Sequence, residues 1–173
     1  KPELAFSFVS SILNKADIRF DNLEAPLSDK LNPANIGTRT AFHSDPSAIA
    51  GLTAAGFDVL SFANNHSMNH GEAAFMDTLE ILSKNKIAYA GGGANIAEAR
   101  KPVILKRKGM KVGFLAYAVS DQLRQYSAYP NKPGIVLIRL SPFFPPPHVN
   151  EEDMEMMVMD IKNLRKRADI VVV

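Results

Sequence analysis

Apolar positions along this chain follow two periods and switch between them repeatedly. Phe75, Leu79 and Leu82 lie three and four residues apart, which predicts a helix over 72–84 with one buried face. Met154, Met157, Val158, Ile161 and Leu164 repeat that spacing after Asn150, a good N-cap. The first turn of that helix is acidic and its last turn basic, and both suit the helix dipole. Asp45 followed by Pro46 predicts another helix start, with Ile49 and Leu52 on one face and Gly56 as the stop. Shorter helices are predicted at 3–14 and 95–100. Residues 17–20, 57–62, 87–90, 134–139 and 169–173 read as strands. Residues 103–106 and 111–117 read as a hairpin turning on Lys108-Gly109. The stretch 118–134 reads as loop. Residues 141–148 hold four prolines and predict a loop or lid.

Strands alternating with helices predict an α/β layered fold. No internal repeat interrupts it, so one domain is expected over residues 1–173. A helix-like pattern at the start and the apolar run of residues 170–173 at the end predict a piece truncated at both ends.

Composition narrows the chemistry. The net charge is only +2, which argues against nucleic acid or an anionic bilayer as the main partner. The basic group Lys162, Arg165, Lys166 and Arg167 reads as the solvated end of the last helix. Cysteine is absent, so disulfides and thiolate metal sites are excluded, and any metal must be held by His, Asn, Asp or Glu. No run of roughly 18 apolar residues is present to span a membrane.

Sites in layered α/β proteins form where strands end and loops begin. Two strand ends here are dense in metal-capable side chains. Asp21-Asn22-Leu23-Glu24 follows the strand Ala-Asp-Ile-Arg-Phe, and Asn64-Asn65-His66 follows Phe-Asp-Val-Leu-Ser-Phe. An Asn carbonyl oxygen is a neutral ligand, and a nearby His binds metal or carries a proton to a leaving group. Asn-Asn after a strand is equally good turn chemistry, and Glu24 reads equally as a surface carboxylate. Gly91-Gly92-Gly93 before a helix suits phosphate, but it lacks the Lys-Ser/Thr ending of a P-loop and reads better as a tight turn. Arg39 and Arg100 are candidates for gripping anionic substrate oxygens. His43 and His148 fall in loops without a ligand pattern around them, and His70-Gly71 shapes the loop after His66.

Residues 16–24 and 54–66 together, with Gly71, Asp77-Thr78-Leu79, Ala90-Gly91-Gly92-Gly93, residues 97–102 and Val112-Gly113-Phe114-Leu115-Ala116-Tyr117, resemble the bacterial poly-γ-glutamate capsule-biosynthesis family, capsule protein A. The resemblance runs in order and spacing over roughly residues 12–120. That family is similar to the calcineurin-like metallophosphoesterases. The resemblance implies a layered αββα sandwich with mixed sheets and a divalent metal (Mn, Fe, Zn or Mg). It implies Asn65 as a metal ligand and His66 as the proton donor that also contacts phosphate. Asn22 and Glu24 sit where the superfamily places a carboxylate shared by two metals. Asn22 replaces the usual Asp, and Glu24 is the candidate to supply the charge. It also implies a Gly-Asp segment before residue 1 and a His-Trp-Gly segment after residue 173.

The function expected from the resemblance is capsule poly-γ-glutamate biosynthesis or export, with a metal-dependent, phosphoesterase-like hydrolase site. The alternative is a non-catalytic scaffold that binds polyglutamate at the membrane through exposed Arg39, Lys101 and Arg124. The expected partners are poly-γ-glutamate or another anionic polymer and membrane synthase components. The expected location is the cell envelope, with the anchor outside this chain.

Overall fold

The computed structural model describes residues 1–37, 39–120, 122–141 and 148–173. The expected proline-rich lid falls on 142–147, outside the described residues. The chain is a mixed α/β protein whose backbone contacts divide it into two compact units, residues 1–89 and 90–173.

The first unit is organised by strand β2. β1 (Phe20–Asn22) runs parallel to β2 (Val59–Ser61), with Asn22 opposite Ser61, and β3 (Ala88–Ala90) completes the sheet order β1-β2-β3. α1 (Ser10–Leu13) and α2 (Ile49–Ala55) precede β2, and α3 (Gly71–Lys84) follows it. Asp45 accepts a bond from the Ser47 amide and starts the turn into α2, which ends on Gly56 at φ +73°. α3 buries Ala74, Phe75, Thr78, Leu79 and Leu82, the face that its spacing predicts. Phe75 stacks on Phe62 with ring centroids 5.2 Å apart. Leu27, Ala55, Phe57, Leu60, Leu82 and Ile87 form the core.

Two expectations shift here. The predicted helix 3–14 contracts to one 3₁₀ turn (Pro2–Leu4) and α1. Only Phe6 and Leu13 of this segment pack on the core, while Phe8 is 98% exposed, and a short helix with so little tertiary support does not extend. The first strand begins later than residue 17. Asp58 Oδ2 accepts the Arg19 amide and Arg19 O accepts the Asp58 amide, so the ladder starts beyond Arg19, and Asp21 and Asn22 lie in the strand instead of after it.

In the second unit, β4 (Gly92–Gly93) pairs antiparallel with β8 (Gly134–Ile135). β5 (Val103–Arg107) and β6 (Met110–Phe114) form the expected hairpin. Lys108 and Gly109 both have positive φ, as a two-residue turn of this hand requires. β7 (Ala118–Ser120) runs parallel to β9 (Leu137–Ser141), which pairs antiparallel with β10 (His148–Val149). β11 (Ile170–Val172) runs parallel to β6. α4 (Ile96–Ala99) and α5 (Glu151–Arg165) complete the unit. A Cβ added at Gly113 would fall on the Leu164 side chain, so this glycine lets α5 approach the sheet.

The stretch read as loop contains β7, a three-residue strand in which Val119 alone is a strong strand former, too short a run to show a period. The strand read at 134–139 is two strands. It breaks at Val136, whose amide bonds to Gly91 O while its carbonyl accepts from Ala118. Met154 of α5 is exposed; Leu164 and, unexpectedly, Asp153 are the buried positions of that helix.

Candidate functional site

Asn22 lies opposite Ser61 at the ends of two parallel neighbouring strands, so the chain leaves β1 and β2 on the same edge. The Leu23 amide bonds to Ser61 O at 2.9 Å and carries the pairing one residue further. Glu24 and residues 62–66 are brought together by this register.

Asn64 holds the two segments. Its Nδ2 donates to Leu23 O (2.8 Å) and to Asn22 Oδ1 (3.1 Å). Its Oδ1 accepts from the amides of His66 and Ser67, both at 2.9 Å, which fixes a tight Asx turn. Ser67 Oγ donates back to Phe62 O at 2.9 Å. Asn22 Nδ2 donates to Glu24 Oε2 at 2.8 Å. The other carboxylate oxygen, Glu24 Oε1, lies 3.7 Å from His66 Nε2. The Glu24 side chain is 57% exposed and that of His66 14%, so the pair sits at the mouth of the site with the imidazole set inside.

A short polar network surrounds the imidazole. His66 Nδ1 is 2.8 Å from Asn69 Oδ1, and the same oxygen accepts the Phe42 amide at 2.9 Å. The Phe42 ring lies against the imidazole with centroids 4.3 Å apart. Asn35 Nδ2 donates to Asn69 O at 2.6 Å, so the segment before the second helix is tied to the turn after β2.

Of the expected site residues, the structure brings Asn22, Glu24 and His66 together. Asn65 lies in the same turn, but its side chain is exposed, and the asparagine that joins β1 is Asn64. Arg39 is on an exposed turn of this unit. Arg100 belongs to the second unit, where its guanidinium forks onto Asp160 with Nε–Oδ2 2.9 Å and Nη2–Oδ1 2.7 Å. That hydrogen bond raises its already high pKa, and Tyr117 adds a third bond to Asp160 at 3.2 Å. Burial, then the Asp160 charge, push the Tyr117 hydroxyl up from its ordinary value. Asp160 of α5 therefore ties down Arg100, at the end of α4, and Tyr117, between β6 and β7, and the Arg100 fork is committed.

The triple glycine is also committed to structure. Gly91 has φ +86°, Gly92–Gly93 form β4, and a Cβ at Gly93 would collide with the backbone of Glu98 and Ala99. Asn95 Oδ1 accepts the Glu98 amide, and Glu98 Oε2 accepts the Ala94 amide. Amides that would face a phosphate are met by the chain's own side chains. His43 is exposed, and its ring meets that of His70 edge to face at 5.0 Å. His70 is 2% exposed, and among the described residues neither ring nitrogen has a hydrogen-bond partner.

The residues that sequence reasoning missed are Asn69 and Phe42, together with the bridging part played by Asn64. The spacing His66-x-x-Asn69 within a predicted turn was the available signal, because a turn places positions i and i+3 side by side. Among the described residues no group of three or more His, Asp or Glu converges as a metal cage. The donors present are one carboxylate, one imidazole and neutral amide oxygens. That set suits part of the shell of a divalent cation, with open positions, more than a closed structural site.

The family model for the bacterial capsule synthesis protein PGA_cap matches residues 1–173. The chain is 26% identical over 170 residues to the PGA biosynthesis protein CapA of Bacillus subtilis (strain 168), covering 97% of this chain and 40% of that protein. It is 27% identical over 117 residues to the capsule biosynthesis protein CapA of Bacillus anthracis, covering 66% of this chain and 28% of that protein. It is 28% identical over 193 residues to the uncharacterized protein y4sH of Sinorhizobium fredii, covering 95% of this chain and 41% of that protein. The chain thus spans well under half the length of these relatives.

Proposed function

The chain belongs to the bacterial capsule synthesis protein PGA_cap family, and from that premise we propose that it carries part of a metal-dependent hydrolase site used in making or exporting capsular poly-γ-glutamate. The fold expected for such a site is the layered αββα sandwich of the metallophosphoesterases. The observation that carries the reading is the approach of Glu24 Oε1 to His66 Nε2, 3.7 Å apart, at the ends of adjacent parallel strands.

The proposed division of labour follows from donor chemistry. Glu24 and the Asn22 carbonyl oxygen would hold a divalent metal, with Asn65 joining them as a ligand from the turn that carries His66. When bound, such an ion polarises the scissile group and lowers the pKa of a coordinated water. His66 would hold a proton at Nε2 for the departing oxygen. Asn64 keeps the two strand ends in register, so the proton carrier and the carboxylate move as one piece. Arg39 is the candidate to meet an anionic substrate from the exposed turn. The protein carrying this chain would work in the cell envelope; among the described residues no helix is long and apolar enough to cross a membrane.

The test is hydrolysis of a generic phosphodiester by the full-length protein with Mn²⁺, beside His66→Ala. Loss of general acid catalysis is expected to lower kcat by about 10²- to 10⁴-fold. Equal rates in the two proteins would remove the hydrolase reading. A second reading, a binding scaffold for polyglutamate, is favoured by the exposure of Arg39, Lys101 and Arg124. It requires salt-sensitive retention on immobilised poly-γ-glutamate, and absence of retention at low ionic strength would dismiss it.

A further inference from the structure

A side chain outside the expected site decides which nitrogen of His66 is reactive. Asn69 is 9% exposed. Its Oδ1 accepts the Phe42 backbone N–H at 2.9 Å. Turning the amide over would set its NH₂ against that N–H, donor against donor, which fixes the oxygen in place. The same oxygen lies 2.8 Å from His66 Nδ1. An oxygen cannot donate, so Nδ1 must carry the hydrogen of this bond. Nε2 is then the nitrogen that holds a lone pair in the neutral ring, and it is the one facing Glu24. The Phe42 ring lies against the imidazole, and Asn35 Nδ2 donates to the Asn69 backbone carbonyl at 2.6 Å, which holds the turn that presents the Asn69 side chain.

The geometry points to Asn69 as the positioning residue of the site: through an oxygen pinned by the Phe42 amide, it selects the Nδ1–H tautomer of His66 and leaves Nε2 free to bind a metal or carry a proton. Its importance for turnover rests on the hydrolase reading above, while the tautomer itself does not.

The experiment is ¹H–¹⁵N correlation of histidine imidazoles in the full-length protein, freed of metal by chelation, at about pH 8.5, some two units above the ordinary histidine pKa. The His66 signal is identified by its loss in His66→Gln. In the wild-type protein His66 is expected to carry its proton on Nδ1, with a pyridine-like Nε2. Asn69→Asp, which keeps an acceptor, retains this pattern, whereas Asn69→Ala moves the proton largely to Nε2. In the phosphodiester assay Asn69→Ala is expected to lower kcat by about 10- to 100-fold with KM little moved, and Asn69→Asp to restore most of it. A wild-type His66 bearing its proton on Nε2 overturns the proposal, and this holds even if Asn69→Ala does not fold. Retention of Nδ1–H in Asn69→Ala overturns it as well. Absence of any hydrolysis with the tautomer as described would remove the hydrolase reading and leave the role of Asn69 standing.

Discussion

The two units each hold a polar network, built on different principles. In the second unit Arg139 forks onto Asp153 with Nε–Oδ2 2.7 Å and Nη2–Oδ1 2.8 Å, and its amide adds another bond to the same carboxylate at 2.8 Å. Asn150, the cap of α5, accepts from Arg139 Nη2 at 2.9 Å. Charges there are paired. In the first unit the network is made of neutral amides, Asn22, Asn64 and Asn69, and it stops short of closing: Glu24 and His66 face each other across 3.7 Å. A network that saturates its groups holds elements together. The other orients a carboxylate and an imidazole toward each other without saturating them.

The largest stability effect is expected in the closed network. Asp153→Asn removes the charge partner of Arg139 and should cost about 2 kcal/mol in denaturant unfolding, at the lower edge for a broken pair because Arg139 is partly exposed. Burial alone would raise the Asp153 pKa, but its hydrogen bonds from Arg139 outweigh this and hold it below the ordinary carboxylate value. A depressed folded-state pKa gives stability that is present above the unfolded value, about 3.9, and lost as pH falls through the folded one. The wild-type protein should therefore lose this contribution in acid below about pH 4, and Asp153→Asn should flatten that part of the profile. An unchanged profile would mean that the pair does not hold β9 to α5.

Asn64→Ala is expected to cost about 1.5 kcal/mol, since it leaves the Leu23 carbonyl and the His66 and Ser67 amides without their partner. It should also abolish any activity that His66→Ala abolishes. Asn65→Ala, one residue away on an exposed position, should leave unfolding unchanged within about 0.5 kcal/mol. Equal destabilisation by the two would contradict the bridge between β1 and β2.

A small effect of the opposite sign is expected at His70. It buries two ring nitrogens that have no partner among the described residues, so His70→Leu should be neutral or stabilising by about 1 kcal/mol in thermal unfolding. A clear loss of stability would show that His70 has a partner that the fold brings to it.

These contrasts also explain what could be read beforehand. α3, the Lys108-Gly109 hairpin and the caps Asp45 and Asn150 follow from local rules of spacing and backbone preference, and each is found. The convergence of Asn22, Glu24 and His66 was legible because strand ends collect functional side chains. The choice between Asn64 and Asn65 was not, since adjacent identical residues differ only in which way a turn presents them. Asn69 was hidden for a related reason: its partner Phe42 is 27 residues away, and only the tertiary fold brings that amide to the turn. Arg100 looked like an anion ligand because its partner Asp160 lies 60 residues further on.

If the proposed site is right, the open network binds a cation and the closed one does not. Calorimetric titration of Mn²⁺ into the full-length protein tests this directly, comparing wild type with Glu24→Gln and with Asp153→Asn. Glu24→Gln is expected to weaken binding about tenfold or more while Asp153→Asn leaves it unchanged. Equal affinity in wild type and Glu24→Gln would contradict the account.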